Sequence, residues 1–598
     1  MTWAKLFSIL LLAFWFYLRT VYTVSREHRQ LDKFVRHLMK CRGIPGLSLS
    51  VVKDGKPFYT KGYGHGDIQN WTEVTENTMF CTGSITKGFT ATLMAMVIGN
   101  NSSLTWDTPV RTILGERFHL SDEHRSKYVN IRDLLAHKTG LAGYFGALLT
   151  VSHEHVEDII WRLRFMRPVT KFHSKYIYNN YMYILAGYLL EKLSGRSWER
   201  LVTDKIFEPL EMTSSTFAYK VKDWSNFAVP HVSYNGQLTQ LDLILYSGMD
   251  VAAPAGAICS NSVDMAKWMM FHLSGGLDTK GRRLVPEAEF HEMHTPQMPT
   301  PMPLGKKLLK QPIFPISEGR YAYNLGWSSG LYRGHLNLLH TGQVYGYDSL
   351  IWLFPDNDVG IYTAVNGPGN NEAKTALRVI HHYISDILLN MTPWLNLSAA
   401  CSFPEPWLTR HKNRAHDDDP LEGDAVKGRN KYTTPVVRSG RTLENYIGQY
   451  GHLAFGNITI KLDLEVDLLH LTVGRFGEAW LYPTDRVDQF DMRFTGPLKY
   501  VSEADGWNRS IPLIFRADDT GYITSLYALF IEDSAPPEFK REVQWSSTPP
   551  PSLHSNRALE RCLNYIMTSS ADSQAAYKQF TAHFSFIATY VSLRLARY

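Results

Sequence analysis

A change in the spacing of apolar residues divides this 598-residue chain into two parts that must fold differently. Helical and strand patterns alternate over residues 24–395, whereas residues 458–473 place an apolar side chain at nearly every second position, as half-buried antiparallel strands require. The stretch 396–441 between them is polar and offers few residues that could form a core. We therefore predict a large mixed domain, a linker over 396–441 and a small all-β domain over 442–545.

The two ends of the chain carry separate signals. Residues 6–18 form one apolar run between Lys5 and Arg19, which is shorter than a membrane span and typical of a secretory signal peptide. Because no small-residue cleavage site follows, a membrane anchor through residues 6–18 remains an alternative. We predict a signal peptide or signal anchor over 1–23 and a tail of undetermined role over 546–598.

Sequons for N-linked glycosylation are frequent. Glycosylation requires entry into the secretory route, so these sites favour a secreted, extracellular protein, with a single-pass protein anchored in the secretory pathway as the alternative. The candidate glycosylation sites are Asn70, Asn101, Asn390, Asn396, Asn457 and Asn508.

Charge and cysteine content exclude several classes of partner. Lys and Arg exceed Asp and Glu by only five, without a long basic run, so the sequence does not indicate a nucleic-acid partner. The five cysteines include no C-x-x-C pair, which argues against a zinc ribbon or redox motif, and at least one thiol must stay unpaired within the chain. The sequence predicts no metal and no cofactor.

The segment from Phe80 to Ile98 combines a hydroxyl, an amine and an apolar helical pattern. Ser84 precedes the helix and Lys87 follows three residues later, so the two side chains face the same side of one turn. A lysine that apolar surroundings desolvate can lose its proton and accept the proton of a serine hydroxyl. The pair predicts a nucleophile with its base, although S-x-x-K alone also fits a capped helix with a surface lysine.

A site of this kind needs two further motifs, and the chain contains two candidates for each. A Y-x-N triplet occurs at 128–130 and 178–180, and a basic residue followed by Thr-Gly occurs at 138–140 and 340–342. Only the triplet at 340–342 leads into a predicted β-hairpin, over residues 350–365, so only this triplet can lie on a strand edge that faces the serine. We therefore favour it over the triplet at 138–140.

In this order and context the motifs resemble the serine β-lactamase-like family. The similar segments are 84–87, 131–141, 178–187, 255–260 and 340–342. They are closest to class C β-lactamases, D-alanyl-D-alanine peptidases and animal β-lactamase-like proteins. The resemblance implies an α/β (α+β) fold, in which an antiparallel sheet is flanked by helices and a helical subdomain. The later strands resemble the small lipocalin-like barrel that some relatives carry, which implies a C-terminal all-β, barrel-like domain.

The resemblance implies catalytic roles for four residues. Ser84 is expected to be acylated, with Lys87 as its first proton acceptor. Tyr178 is expected to act with Lys87 as acid and base, and its phenol needs nearby positive charge, for which Lys87 and His340 are the local sources. Asn180 is expected to bind the substrate carbonyl or to hold Lys87 in place.

The resemblance also implies where substrate binds. Backbone N–H groups of Ser84 and Gln343 are expected to form an oxyanion hole. His340 departs from the bacterial enzymes, which usually carry lysine there, and a half-charged imidazole binds a carboxylate less firmly, so β-lactams and peptide C-termini are less expected as substrates. The expected substrate-binding residues are His340, Thr341, Gly342 and Gln343.

Four other reactive residues are expected to have ordinary roles. Cys81 has no histidine partner at a known spacing, so we expect a packed small residue and not a nucleophile. His381, His382 and Asp386 lie on a predicted helix without a further ligand nearby in sequence, so we expect them to be solvated and not to bind a metal.

These features predict a secreted or membrane-anchored serine hydrolase. It would cleave an amide or ester bond of a small molecule or peptide through a Ser84 acyl-enzyme, without a cofactor. The alternative from a different class is a non-catalytic secreted protein of the extracellular or shell matrix on the same fold. A third hypothesis is a filament-forming scaffold.

Overall fold

A computed structural model describes residues 26–153, 155–301, 315–407, 441–501 and 511–543. These residues belong to one compact unit that ends at Trp545. The predicted leader and tail, most of the predicted linker and the sequon at Asn508 lie outside the described residues.

The large domain is built on strands that pair antiparallel. The strands are β1 (Gly46–Lys53), β2 (Lys56–Asp67), β3 (Thr72–Glu73), β4 (Phe80–Cys81), β5 (Thr216–Phe217), β6 (His231–Tyr234), β7 (Gln237–Gln240), β8 (Ile258–Ser260), β9 (Met298–Pro299), β10 (Glu318–Tyr323), β11 (Ser328–Tyr332), β12 (His335–Val344), β13 (Tyr347–Phe354) and β14 (Val359–Val365). Nine of them form one sheet in the order β3-β2-β1-β14-β13-β12-β11-β10-β9, and β4-β8-β5 form a small sheet beside it.

Helices cover both faces of the nine-stranded sheet. Because both faces are covered, the central strands β13 and β14 are buried along their whole length. The helices are α1 (26–42), α2 (Thr86–Gly99), α3 (Val110–Leu114), α4 (Glu123–Tyr128), α5 (Ile131–Leu135), α6 (Phe145–Leu149), α7 (Val156–Arg162), α8 (Asn180–Ser194), α9 (Trp198–Val202), α10 (Ala253–Gly256), α11 (Ser262–Leu273), α12 (Glu287–His294), α13 (Asn371–Leu388) and α14 (Leu397–Ser402).

The helices divide between the two faces. Helices α1 and α13 pack on one face, while α11 and the helical region around α2 and α8 pack on the other. Helix α2 is buried on nearly all sides, as its uniformly apolar sequence predicts. The predicted antiparallel sheet with flanking helices and a helical subdomain is confirmed.

The polar residues of α13 are not solvated, which corrects the prediction from sequence. His381, His382 and Asp386 are each 0% exposed. Asp386 accepts hydrogen bonds from Arg333 Nη1 at 2.7 Å and from Tyr332 Oη at 2.9 Å. Partners from a distant part of the chain thus satisfy the buried Asp386 carboxylate, and such partners cannot be identified from the helix sequence alone.

The second part of the described chain is a closed eight-stranded barrel, which confirms the predicted small all-β domain. Its strands are β15 (Gly448–His452), β16 (Gly456–Asp463), β17 (Leu468–Val473), β18 (Gly477–Pro483), β19 (Gln489–Phe494), β20 (Ile511–Ala517), β21 (Ile523–Ala528) and β22 (Glu538–Lys540). Buried side chains such as Phe490, Phe515 and Leu471 fill it. Leu464 and Val466, predicted to lie on a strand, are exposed in the turn between β16 and β17.

The barrel packs against the large domain, and hydrogen bonds to its backbone carbonyl groups join the two. Arg162 Nη1 donates to the carbonyl oxygen of Leu453 at 2.5 Å, and the N–H of Gly146 donates to the carbonyl oxygen of Ile531 at 3.3 Å. A Cβ at position 146 would lie 1.9 Å from the carbonyl oxygen of Phe530. Only glycine therefore allows this close approach.

Four cysteines form two disulfides that the sequence did not predict. Cys81 pairs with Cys259 across β4 and β8, so Cys81 is buried as expected but is also bridged. Cys41 pairs with Cys401, which lies on α14 inside the predicted linker. The packed part of the chain thus extends beyond 396.

Candidate active site

The turn that carries Ser84 is held by close backbone contact with β12. Ser84 lies in a short 3-10 turn, Gly83–Ile85, between β4 and α2. Gly83 has φ +52°, and a Cβ there would lie 2.6 Å from the backbone nitrogen of Gln343. Likewise, a Cβ at Gly342 would lie 1.9 Å from the carbonyl oxygen of Thr82. The two glycines thus allow the backbone of β12 to approach the serine turn.

Lys87 is a fully buried amine that contacts the serine. Its Nζ lies 2.9 Å from Ser84 Oγ and donates to the carbonyl oxygen of Ala255 on α10 at 2.7 Å. Burial lowers the pKa of Lys87 well below its usual value. Lys87 therefore loses its proton more readily than an exposed lysine, and the freed lone pair can accept the hydroxyl proton.

Tyr178 lies just before helix α8 and contacts the same atom, Ser84 Oγ. Its Oη donates to Ser84 Oγ at 2.8 Å, and its ring lies against Lys87 Nζ, with 4.9 Å from Nζ to the ring centroid. Burial raises the pKa of the Tyr178 phenol, although the hydrogen bond to Ser84 acts in the opposite direction. The phenol is therefore protonated and can act as a proton donor.

Asn179 fixes the position of Tyr178 on the chain. The side chain of Asn179 accepts from the N–H of Tyr181 at 2.8 Å, which caps α8, and donates to the carbonyl oxygen of Ala142 at 2.7 Å. The N–H of Asn179 donates to Nδ1 of the buried His137 at 3.1 Å. His137 also lies beside the Tyr178 ring, with 4.5 Å between ring centroids. These contacts position the phenol over Ser84.

His340 is not a source of positive charge, although the resemblance to the β-lactamase-like family implied that it would be. Its side chain is buried, with Nδ1 2.6 Å from the Thr341 carbonyl oxygen and Nε2 2.9 Å from Tyr323 Oη. A carbonyl oxygen can only accept, so Nδ1 carries a proton and Nε2 accepts from the tyrosine. Burial lowers the pKa of His340 to about 3, so the imidazole is neutral.

Arg320 on β10 supplies positive charge that the sequence did not reveal. Its Nε and Nη2 are buried without a hydrogen-bond partner among the described residues. Its charge lowers the pKa of His340 further and opposes the rise in the pKa of Tyr178. No motif in the sequence pointed to this residue.

Asn180 does not hold Lys87 in this structure. Asn180 is the first residue of α8 and is partly exposed, and within the described residues no hydrogen bond joins it to Lys87. The Ala255 carbonyl makes that contact instead. A role of Asn180 toward substrate stays a prediction.

The duplicate motifs lie elsewhere. Tyr128 is 51% exposed at the end of α4, and Asn130 caps α5 with its side chain. Lys138 Nζ lies 3.6 Å from Asp133 Oδ1, and the chain after Lys138 is a loop and not a strand. The structure therefore brings the Y-x-N triplet at 178–180 to the serine, and not the triplet at 128–130.

Several residues of the site carried no signal of their own in the sequence. Tyr323 and Arg320 belong to no motif and no family-like segment. His137, Asn179 and Ala255 lie in the family-like segments 131–141, 178–187 and 255–260, which were the only sign that they lie near the site.

Known proteins resemble this chain in sequence and in fold. A sequence profile of the Beta-lactamase family matches residues 31–383, more than half of the chain. The chain belongs to the beta-lactamase family. Members of this family are serine hydrolases on a shared fold, and the region around Ser84, Tyr178 and His340 lies inside the matched residues.

Individual relatives of this beta-lactamase family chain include hydrolases. Unguisins hydrolase ungD' of Aspergillus campestris is 30% identical over 71% of this chain and 76% of its own length. Teichoic acid D-alanine hydrolase of Staphylococcus aureus is 23% identical over 62% of this chain and 79% of its own. The octameric penicillin-binding protein homologue from Pyrococcus abyssi covers 86% of this chain and 99% of its own with a TM-score of 0.51, and at 22% identity it shows the fold.

Most of the candidate glycosylation sites lie at the surface of the chain. Asn70, Asn101, Asn390 and Asn396 are exposed, and Asn457 is partly exposed, so glycans on the first four would meet solvent. Among the described residues, no helix is both long and apolar enough to cross a membrane.

Proposed function

We propose that this protein is a serine hydrolase that cleaves an amide or ester bond through an acyl-enzyme on Ser84. The observation that carries the proposal is the position of Ser84 Oγ, 2.9 Å from Lys87 Nζ and 2.8 Å from Tyr178 Oη. A hydroxyl between an amine of lowered pKa and a protonated phenol has a proton acceptor on one side and a proton donor on the other.

Lys87 and Tyr178 carry the protons in each step of the proposed reaction. Neutral Lys87 takes the proton of Ser84 as Oγ attacks the substrate carbonyl. Backbone N–H groups of Ser84 and Gln343 stabilise the negative charge on the carbonyl oxygen, worth about 3 kcal/mol per donor. Tyr178 donates its proton to the departing group and recovers one from Lys87. Water then cleaves the acyl-enzyme by the reverse proton path.

The substrate is a small molecule or peptide with an amide or ester bond. Relatives named as hydrolases of unguisins and of teichoic acid D-alanine support hydrolysis as the reaction class. His340 is neutral, so it offers no fixed charge to a substrate carboxylate where bacterial relatives use lysine. His340 itself therefore does not favour a substrate with a carboxylate next to the scissile bond.

The experiment is covalent labelling with a fluorophosphonate and with a labelled penicillin. We expect labelling of the wild type, loss of labelling in Ser84→Ala, and wild-type labelling in Ser194→Ala, because Ser194 is exposed at the end of α8. If no probe labels the wild type, the hydrolase proposal fails and the non-catalytic matrix hypothesis gains support. Self-assembly seen by negative-stain microscopy would instead support the scaffold hypothesis.

We also propose that the chain enters the secretory route. Two disulfides and exposed sequons support this, because disulfides form and persist in oxidising compartments. Protein purified from a eukaryotic secretion host should lose mass on treatment with an N-glycosidase, and sequencing of its N-terminus should decide between a cleaved leader and an anchor. An unchanged mass would contradict the proposal.

A further inference from the structure

The two disulfides differ sharply in their surroundings. Cys81 and Cys259 are 1% and 0% exposed, inside the small sheet next to Ser84. Cys41 is exposed at the end of α1, and its partner Cys401 is partly exposed on α14. A small thiol in solution can therefore reach the Cys41–Cys401 bridge but not the Cys81–Cys259 bridge.

An imidazole lies against one sulfur of the exposed bridge. His37 Nε2 is 3.3 Å from Cys401 Sγ and 3.0 Å from the carbonyl oxygen of Leu397. Because a carbonyl oxygen only accepts, Nε2 must carry a hydrogen. The same N–H therefore faces Cys401 Sγ as a donor, and a donor of this kind stabilises a thiolate.

We propose that the Cys41–Cys401 bridge is a site of reversible S-thiolation by a low-molecular-weight thiol such as glutathione. The thiolate attacks Sγ of the exposed residue Cys41 and forms a new S–S bond there. The Cys41–Cys401 bond breaks and its electron pair goes to Cys401 Sγ, which leaves as a thiolate that accepts the hydrogen bond of His37 Nε2–H and then takes a proton from water. The products are a Cys41 mixed disulfide and a Cys401 thiol, so no further oxidant or reductant is needed.

The surrounding contacts make the opening reversible. Arg42, next to Cys41, donates through Nη2 to the carbonyl oxygens of Ala400 at 2.9 Å and Phe403 at 2.7 Å. Its Nη1 pairs with Glu372 at 2.6 Å, and the Arg42 side chain is buried. Helix α14 therefore stays docked after the bridge opens, and the Cys401 thiol remains beside Cys41 for the return attack.

The test uses the full-length oxidised protein and reduced glutathione under native conditions. After quenching with acid and alkylation, non-reducing peptide maps should show glutathione on Cys41, an alkylated Cys401 and an intact Cys81–Cys259 bridge. Removal of glutathione should restore the Cys41–Cys401 bridge. Two intact bridges, or glutathione on Cys401, would overturn the proposal.

The role of His37 has its own control. His37→Ala should slow the exchange by about tenfold, because the leaving sulfur loses the group that stabilises its charge. Lys33→Ala removes a charge from an exposed residue on the same helix but farther from Cys41 and should leave the rate unchanged. Equal rates in His37→Ala and wild type, or equal slowing in the two variants, would refute the assignment to His37.

Discussion

Burial sets the acid-base character of the three side chains around Ser84. It lowers the pKa values of Lys87 and His340 and raises that of Tyr178, so the amine gives up its proton more readily, the imidazole is neutral and the phenol keeps its proton. Desolvation, and not an ion pair, therefore makes Lys87 a base. The residue types could be predicted from sequence but their pKa shifts could not, because burial depends on the surrounding helices and strands.

Lys87→Met should stabilise the protein while it removes activity. The folded-state pKa of Lys87 lies below its unfolded value of 10.5, so the unfolded chain binds more protons and wild-type stability falls as pH drops from 10.5 toward the folded-state pKa. We expect a higher Tm for the variant at pH 7, and a difference that disappears above the unfolded pKa. Turnover should fall by about 10²- to 10⁴-fold.

Thermal melts across this pH range and turnover assays provide the check. Lys87→Arg is the matched control, since its guanidinium keeps the charge: it should lose activity without the gain in Tm. A Lys87→Met protein that melts below the wild type at pH 7 would show that Lys87 is not held neutral at a cost to stability.

Strands and helices were predictable from sequence where their signal was local. The apolar run of α2 and the hairpin of β13 and β14 follow from the spacing of neighbouring residues. The Cys41–Cys401 bridge and the contact between the Ala255 carbonyl and Lys87 join residues 360 and 168 positions apart. Such contacts depend on the tertiary fold, so no local pattern could predict them.

Gly342→Ala should separate β12 from the serine turn. The new methyl group would lie 1.9 Å from the carbonyl oxygen of Thr82, so the strand must shift away from Ser84 and the proposed oxyanion contact of the Gln343 N–H must weaken. We expect turnover to fall by about 10²-fold or more. Gly66→Ala on β2 is the control, because its methyl group would meet its nearest atom at 3.5 Å. Equal activity of the two variants, measured as kcat/KM, would refute this role of β12.

The barrel and the large domain contact each other directly in the described chain. Gly146 approaches the barrel backbone at Phe530, and the N–H of Tyr144 donates to Glu532 Oε2 at 3.1 Å. The same loop lies beside the active-site tyrosine, since a Cβ at Gly143 would lie 3.2 Å from the Tyr178 carbonyl oxygen. The sequence predicted two domains but could not show that the barrel supports a loop next to the site.

Gly146→Ala should therefore weaken both stability and activity. Its methyl group would lie 1.9 Å from the Phe530 carbonyl oxygen, and relief of that clash requires the barrel or the loop to move. We expect a loss of about 1–3 kcal/mol in the free energy of unfolding and a lower kcat. Urea denaturation and turnover assays measure these effects, and a variant with wild-type stability would show that the barrel does not press on this loop.

The most direct measurement is the site of covalent attachment after reaction with a fluorophosphonate. Ser84 is the only serine in the tryptic peptide 62–87, so the adduct can be assigned by mass spectrometry of that peptide after reduction and deglycosylation. We expect the added mass on this peptide in the wild type and on no peptide in Lys87→Met. An adduct on a different peptide, or an unmodified wild-type peptide after complete exposure to the probe, would show that Ser84 is not the nucleophile.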